Sequence, residues 1–326
     1  MIPYLSKIAW MREQREQRTS VMPISDSTPW RARISALAVD REEGAGTIAL
    51  LAAQALEEGA AGGAPAKPLL GALVELVHGQ RAMAPVLRLA ADLSSELKGG
   101  KTAGFRQRAA EWARELEAAG RDFRNHLMEE IKEAGRWGFY SSSSTVFEGL
   151  AALAEAEIVG EAWVGESRPG GEGSRTARRL KTLGWKTTLV PDSRLFDLVA
   201  SGFLDCLVLG CDAADGERFI NKSGSAALAA LARQSGVNCE LWTTTHKLVP
   251  AATLDLLHAD ETQGNDLHSA GEEIRIDQPL FGIGKMMDAN ILRTERGRMR
   301  PKDVRAFLDS LPVLDTSQLE LDKSAR

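Results

Sequence analysis

Leu209-Gly210-Cys211-Asp212-Ala213-Ala214-Asp215-Gly216, continuing into Phe219-Ile220-Asn221-Lys222-Ser223-Gly224, is the stretch that decides the fold of this chain. The largely apolar run Phe203 to Leu209 ends abruptly in Gly-Cys-Asp, so an acidic side chain is delivered where a buried strand reaches the surface. Asn-Lys-x-Gly then opens a helix of small residues, Ser225 to Ala232, which puts Lys222 at a helix start. A carboxylate at the carboxyl end of a strand, beside a lysine at a helix start, is how an open α/β sheet binds a phosphorylated substrate and acts on it. The arrangement predicts sugar-phosphate chemistry.

Composition bounds the rest. With 326 residues and 44% hydrophobic side chains, the chain has room for one large or two modest domains around a buried core. A net charge of −5 argues against a broad electrostatic grip on nucleic acid. No apolar run approaches the roughly 20 residues needed to span a bilayer. Lys7, Arg12, Arg15 and Arg18 near the N-terminus are interleaved with Glu13 and Glu16 and precede no apolar signal core. Cys206, Cys211 and Cys239 are odd in number and fall in or beside expected strands, which suits a reducing compartment; the expected location is the cytoplasm.

Two periodicities divide the chain. From Ile34 to about Gly135 alanine and leucine dominate. Phe105, Ala109, Trp112, Leu116, Ala119, Phe123, Leu127 and Ile131 recur at intervals of three and four, predicting one long amphipathic helix. Gly59 to Pro68 and Lys98-Gly99-Gly100-Lys101 read as turns. After Arg136, short apolar runs alternate with helical segments: Trp137–Tyr140, Glu161–Gly165, Thr187–Val190, Leu204–Leu209 and Cys239–Thr243 read as strands of a mostly parallel sheet covered on both faces. The expected organisation is an N-terminal arm over 1–33, a helical domain over 34–135 and a Rossmann-like ligand-binding domain over 136–326.

Each strand end in the second half carries polar residues, and in this architecture those ends converge on one crevice. Tyr140 leads into Ser141-Ser142-Ser143-Ser144-Thr145 and a helix, whose free N–H groups and hydroxyls suit a phosphate; ordinary serine N-capping would use the same residues. Glu166-Ser167-Arg168-Pro169 and the glycine-rich Gly170 to Gly173 form a loop expected to be mobile. Arg168, and Arg175 beyond it, suit an anionic ligand, or are solvated loop charges. Asp212 and Lys222 together supply an acid–base group and a phosphate ligand. Asn221 fits either binding or a cap, and His246 and Lys247 are expected to reach the same crevice. His258 and His268 sit in a polar loop without a role. Five-residue spacing between Cys206 and Cys211, with no second pair and no suitably spaced histidine, gives no metal site. Gly44-Ala45-Gly46 lacks the remaining glycine and the preceding strand of a dinucleotide fingerprint, so no cofactor is expected.

At these residues the sequence resembles the translation initiation factor 2B alpha/beta/delta-subunit family, whose relatives include ribose-1,5-bisphosphate isomerase and methylthioribose-1-phosphate isomerase. Gly210-Cys211-Asp212 and Ile220 to Ser225 are similar to that family's Gly-Ala-Asp and Ile-Asn-Lys-Ile-Gly-Thr. Glu166 to Pro169 matches its Glu-Ser-Arg-Pro, and Ala82-Met83-Ala84-Pro85, Pro279-Leu280-Phe281 and Ile291 to Gly297 resemble further motifs. The resemblance runs from about Ile34 to Leu311. It implies a helical N-terminal domain and an α/β, Rossmann-like parallel-sheet domain of the ribose-5-phosphate isomerase/CoA-transferase type.

The departures bear on activity. Where the isomerases carry a catalytic cysteine in Cys-Asn-Ser, this chain has Ser142 by position. A thiol titrates near about 8.5 and an alcohol far higher, so serine does not replace it as a proton carrier. The Arg-Gly-Ala-Gly phosphate loop reads Glu43-Gly44-Ala45-Gly46, a glutamate that repels phosphate unless Arg41 swings in. The Glu-Thr-Tyr-Lys motif reads Thr244-Thr245-His246-Lys247, keeping lysine and losing the acid. Asp212 is retained. The resulting expectation is a factor 2B-like protein that binds a phosphorylated ribose or nucleotide through Ser142, Ser143, Ser144, Thr145, Arg168, Arg175, Asn221, Lys222 and Lys247. One alternative is a divergent aldose–ketose isomerase with Asp212 and Ser142 at the catalytic positions; the other is an interaction subunit with a vestigial crevice. The resemblance also implies self-association, at least a homodimer, with Leu280, Phe281, Met286 and Met287 either at that interface or finishing the core.

Overall fold

The computed structural model describes residues 28–41, 43–257, 267, 275–311 and 315–319. Most of the expected arm therefore lies outside the described residues, as do His258 and His268. Helix α1 (Pro29–Val39) opens on a proline, whose missing N–H is harmless where backbone donors are unpaired anyway, so helical structure begins ahead of Ile34. Helices α2 (Ala45–Ala61), α3 (Ala66–Gly79), α4 (Ala84–Glu96) and α5 (Ala103–Glu130) follow. In α5, Phe105, Ala109, Trp112, Ala119, Phe123 and Leu127 form the buried stripe that their spacing predicts; Leu116 is half-buried and Ile131 is the C-cap.

Beyond α5 the chain alternates: β1 (Arg136–Tyr140), α6 (Ser144–Glu155), β2 (Glu161–Gly165), α7 (Gly173–Thr182), β3 (Lys186–Val190), α8 (Asp192–Ala200) and β4 (Cys206–Leu209). Then come β5 (Ala213–Ala214), β6 (Arg218–Lys222), α9 (Ser225–Ser235), β7 (Asn238–Trp242), a 3-10 turn at Thr245–Lys247 and α10 (Ala251–Leu254). The last elements are β8 (Phe281–Lys285), β9 (Ile291–Thr294), β10 (Gly297–Met299) and α11 (Pro301–Asp309). A seven-stranded sheet has the order β10-β9-β7-β4-β1-β2-β3. All its neighbours are parallel except the β9–β10 hairpin. The fold is thus mixed α/β with a mostly parallel central sheet, as the alternation predicts.

Period-two alternation sorts the strand residues. Trp137 and Phe139 of β1, Cys206 and Val208 of β4, and Trp242 of β7 pack with Phe123, Val146, Leu150 and Trp185 on one face. Tyr140, Leu207, Leu209, Cys239 and Leu241 pack with Leu195, Leu198 and Leu228 on the other. Burial on both faces is why these strands read as continuous apolar runs. Trp137 meets Trp185 and Trp242 with ring centroids 5.4 and 6.0 Å apart, spacings at which aromatic pairs attract beyond their burial.

A second sheet, β5-β6-β8, is antiparallel and was not foreseen. Asn221 and Lys222 therefore belong to a strand, and α9 begins only at Ser225, after Gly224 turns the chain at φ 98°. A Cβ at Gly224 would lie 2.7 Å from the Tyr140 hydroxyl, so both the angle and the space demand glycine. Two-residue β5 and polar β6 carry too little alternation to be read from sequence. Ala213 and Ile220 of this sheet join the core of α1–α5, which seats the small sheet between the helices and the main sheet.

One buried ion cluster ties these parts. The Arg293 guanidinium of β9 donates to Glu240 of β7 at 2.5 and 3.1 Å and also pairs with Glu130 at the end of α5. Trp242 Nε1 donates to Glu240 at 2.8 Å. Although burial alone would raise the Glu240 carboxyl, its bonds to Arg293 and Trp242 hold it below the ordinary range. Arg293→Met strips the partner from a buried carboxylate and is expected to cost about 3–5 kcal/mol in urea unfolding at pH 7. Because the depressed Glu240 pKa stabilises above its unfolded value, the deficit shrinks as pH falls through the acid range.

Candidate functional site

Strand order reverses between β1 and β4: β2 and β3 lie to one side, β7 and β9 to the other. That switch point opens a crevice beyond the carboxyl ends of both strands. Ser141 to Thr145 follow β1, and Gly210 to Asp212 follow β4. A Cβ at Gly210 would lie 2.7 Å from the Ser143 Cβ, so the two strand ends meet because residue 210 has no side chain. Ser143 caps α6, its Oγ accepting from the Val146 N–H at 3.4 Å. Gly44, the N-cap of α2, is as close: a Cβ there would lie 2.8 Å from Ser144 Oγ. Two helix N-termini thus face one spot, where unpaired N–H groups favour an anion.

A largely apolar pocket behind the α6 terminus has Phe139, Phe147, Leu150 and Val208 in its wall, with Ser141, Ser142, Ser143, Thr176, Arg179 and Gly210 as its polar or small members. Ser144 is half-buried at the opening of α6, and Thr145 is buried behind it. Arg179 was not anticipated. It follows Arg175 by four residues in α7, so the two share a helix face, and the signal lay in that spacing. Its guanidinium lies 3.4 Å from the Phe147 ring centroid. Burial and the neighbouring Arg175 lower its pKa, against the attraction of Glu43 and Glu148. Arg41 is turned back, donating to the carbonyls of Ala38 and Asp40 at 3.3 and 3.1 Å.

The loop after β2 is pinned rather than loose. The Ser167 and Arg168 amides each donate to the Asp192 carboxylate at 2.7 Å, and the Ser141 amide donates to Ser167 Oγ at 2.7 Å. Arg168 is exposed, its Nε donating to Glu166 at 3.2 Å, and it does not line the pocket. Lys222 is buried and paired with Glu172, at 3.0 and 3.1 Å to its two oxygens; Glu172 also accepts from the Ser141 hydroxyl at 2.9 Å. Asn221 is buried and donates to Ser225 Oγ at 2.9 Å, fastening the turn into α9.

Asp212 follows β4 and is half-buried, its N–H donating to the Ile220 carbonyl at 2.8 Å. Burial lifts its carboxyl above the ordinary range, against the pull of Lys247; Glu172 adds to the rise and Lys222 opposes it. Lys247 is 2% exposed. Its turn is held by Glu295, which accepts from the Thr245 amide at 2.9 Å and from the Thr245 hydroxyl, and by Arg88, which donates to the Thr245 carbonyl at 2.7 Å. His246 goes elsewhere than expected. It packs against Trp112 at 5.4 Å, and burial, with Arg88 and Arg108 nearby, pushes its imidazole down to about 4.

All three cysteines are free and buried. Burial pushes the Cys211 and Cys239 thiols up to about 12 and raises that of Cys206. Among the described residues no group of His, Cys, Asp and Glu could hold a metal ion, and no helix is long and apolar enough to cross a membrane.

The model of the initiation factor 2 subunit family matches residues 73–288, more than half of the chain. The chain belongs to the initiation factor 2 subunit family. Among its curated relatives, the ribose 1,5-bisphosphate isomerase of Haloferax volcanii is 28% identical over 317 residues, covering 90% of this chain and 96% of that enzyme. The methylthioribose-1-phosphate isomerase of Xanthomonas campestris is 30% identical over 154 residues, spanning 45% of this chain and 38% of the enzyme. The solved translation initiation factor eIF-2B of Pyrococcus horikoshii superposes with a TM-score of 0.72 at 21% identity, covering 86% of this chain and 100% of that one. At that identity the likeness is one of fold. This member of the family is therefore related to sugar-phosphate isomerases, and its crevice lies where the parallel sheet reverses.

Two measurements check the site chemistry. A thiol reagent at pH 8 should leave all three cysteines of the native protein unmodified for hours and label all three in denaturant, because burial suppresses the reactive thiolate. Asp212→Asn should raise the melting temperature at pH 7, since the charged carboxyl is disfavoured in the folded state. The sign follows from the raised pKa: stability falls as pH rises from the unfolded value through the folded one, so the gain should vanish in acid, where Asp212 is protonated.

Proposed function

We propose that this family member binds a phosphorylated ribose in the crevice at the ends of β1 and β4. The observation that carries this reading is the meeting of the α2 and α6 N-termini at Gly44 and Ser144, next to a pocket that Ser143 and Arg179 line. Helix dipole, N–H groups of the first turn and a guanidinium all favour an anion there. Asp212, which follows β4 at the neighbouring strand end, is assigned to the sugar. Ser142 precedes the capping Ser143, and with all three cysteines buried and their thiolates suppressed, we expect binding without turnover.

A second reading, an aldose–ketose isomerase acting on a ribose-1-phosphate-type sugar, is favoured by one feature: the Asp212 carboxyl, raised by burial and balanced by Lys247, is suited to carrying a proton. Calorimetric titration with ribose 5-phosphate and ribose 1-phosphate tests the first reading. Arg179→Met should weaken binding about ten- to hundredfold, the loss of a charge-assisted bond; unchanged affinity would remove this position as the phosphate site. Proton NMR of ribose 1,5-bisphosphate and methylthioribose 1-phosphate incubated with the protein separates the two readings. Turnover abolished by Asp212→Asn with affinity retained would select the isomerase; no turnover in either protein would select the binder.

Self-association belongs to the same reading. Met286 is buried in the core, whereas Ile283 and Met287 are more than half exposed beside the β8 edge. We expect at least a dimer at tens of micromolar in sedimentation equilibrium, weakened by Ile283→Lys; a monomer would remove this expectation.

A further inference from the structure

The charge of Lys222 is answered by a carboxylate built into the loop beside it. Gly170 and Gly171 adopt φ of 104° and 69°, and this left-handed stretch brings two acceptors onto one ammonium: the Pro169 carbonyl and the Glu172 carboxylate. A Cβ at Gly170 would sit 3.2 Å from Lys222 Nζ and 2.9 Å from Glu172 Oε2, so the loop closes this tightly only with glycine there. The pair is buried, at 7% and 18% side-chain exposure. Glu172 has a second anchor, accepting from the Ser141 hydroxyl at 2.9 Å, and Ser141 also lines the pocket with Arg179. Ser141 thus joins the pocket lining to the Glu172–Lys222 pair through a single hydrogen bond.

We propose that Glu172 is a specificity determinant that restricts the crevice to pentoses carrying a single phosphate, by occupying Lys222 with an internal anion where a second phosphate would otherwise bind. This deepens the phosphopentose reading and rests on it. A ligand with two phosphates places its second dianion against a carboxylate rather than an ammonium. Bringing like charges together in a desolvated site is unfavourable, and displacing Glu172 would leave it without its own partners. A monophosphate needs only the helix termini and Arg179.

The test compares ribose 1-phosphate, ribose 5-phosphate and ribose 1,5-bisphosphate by calorimetry on wild-type protein and Glu172→Gln. The wild type should bind the better monophosphate at least as tightly as the bisphosphate. Glu172→Gln keeps the shape of the loop and frees the ammonium, so bisphosphate affinity should rise about ten- to hundredfold, with monophosphate affinity changed by less than about threefold. Because this variant leaves a buried ammonium uncompensated, the double variant Glu172→Gln/Lys222→Met, which removes both charges, is measured beside it. It should lose the gain for bisphosphate and keep monophosphate affinity. A tenfold loss of monophosphate binding in the double variant would overturn the proposal, because Lys222 would then be holding the single phosphate itself. An equal change for mono- and bisphosphate in Glu172→Gln would overturn the specificity role and leave the phosphopentose reading standing. No binding of any of the three by either protein would overturn that reading, and the proposal with it.

Discussion

Tyr140 of β1 and Leu209 of β4 lie side by side in parallel register, and the chain leaves these two neighbouring ends in opposite directions. Everything else in the crevice depends on that divergence. Were both connections to run the same way, α6 would cover the end of β4. Because they part, a gap remains into which Ser141 to Ser143 descend from one side and Gly210 to Asp212 from the other. The gap is narrow enough that residue 210 admits no side chain. Position 210 thus sets how closely the carboxylate approaches the helix terminus, and any side chain there would push the two apart.

The main sheet was legible because its strands are buried on both faces, so burial writes itself as runs of Trp, Val, Leu and Cys bounded by glycine and polar residues. The long helix was legible from its stripe. The small antiparallel sheet was not, because its stability comes from neighbours far away in sequence. Ala213 and Ile220 pack against the N-terminal helices, and β8 pairs with β6 across some sixty residues of chain. No local pattern carries such information. The same cause misplaced Lys222, since Asn-Lys-x-Gly before a small-residue helix reads as a helix start until the strand pairing is seen.

The site was legible in its backbone and less so in its charges. Serines after β1 and the acid after β4 could be located because position in an open sheet fixes where a strand end goes. Where a long side chain points depends on its partners. Arg168 turns to Glu166, Lys222 to Glu172, and His246 to Trp112, each choice made by a residue that sequence separation or a turn of loop conceals. Arg179 shows the converse: it reaches the pocket from inside a helix, a place from which charged residues usually face water.

The turn bearing Lys247 is gripped from two sides that belong to different parts of the molecule. Arg88 comes from α4 in the helical half and holds two of its carbonyls, while Glu295 comes from the hairpin at the far edge of the sheet. The ammonium beside Asp212 therefore has no fixed address of its own. It rides wherever the helical layer and the sheet edge agree to hold it, so a slide between those layers is transmitted to the polarity felt by the Asp212 carboxyl, as a change in the seating of a lever moves its tip.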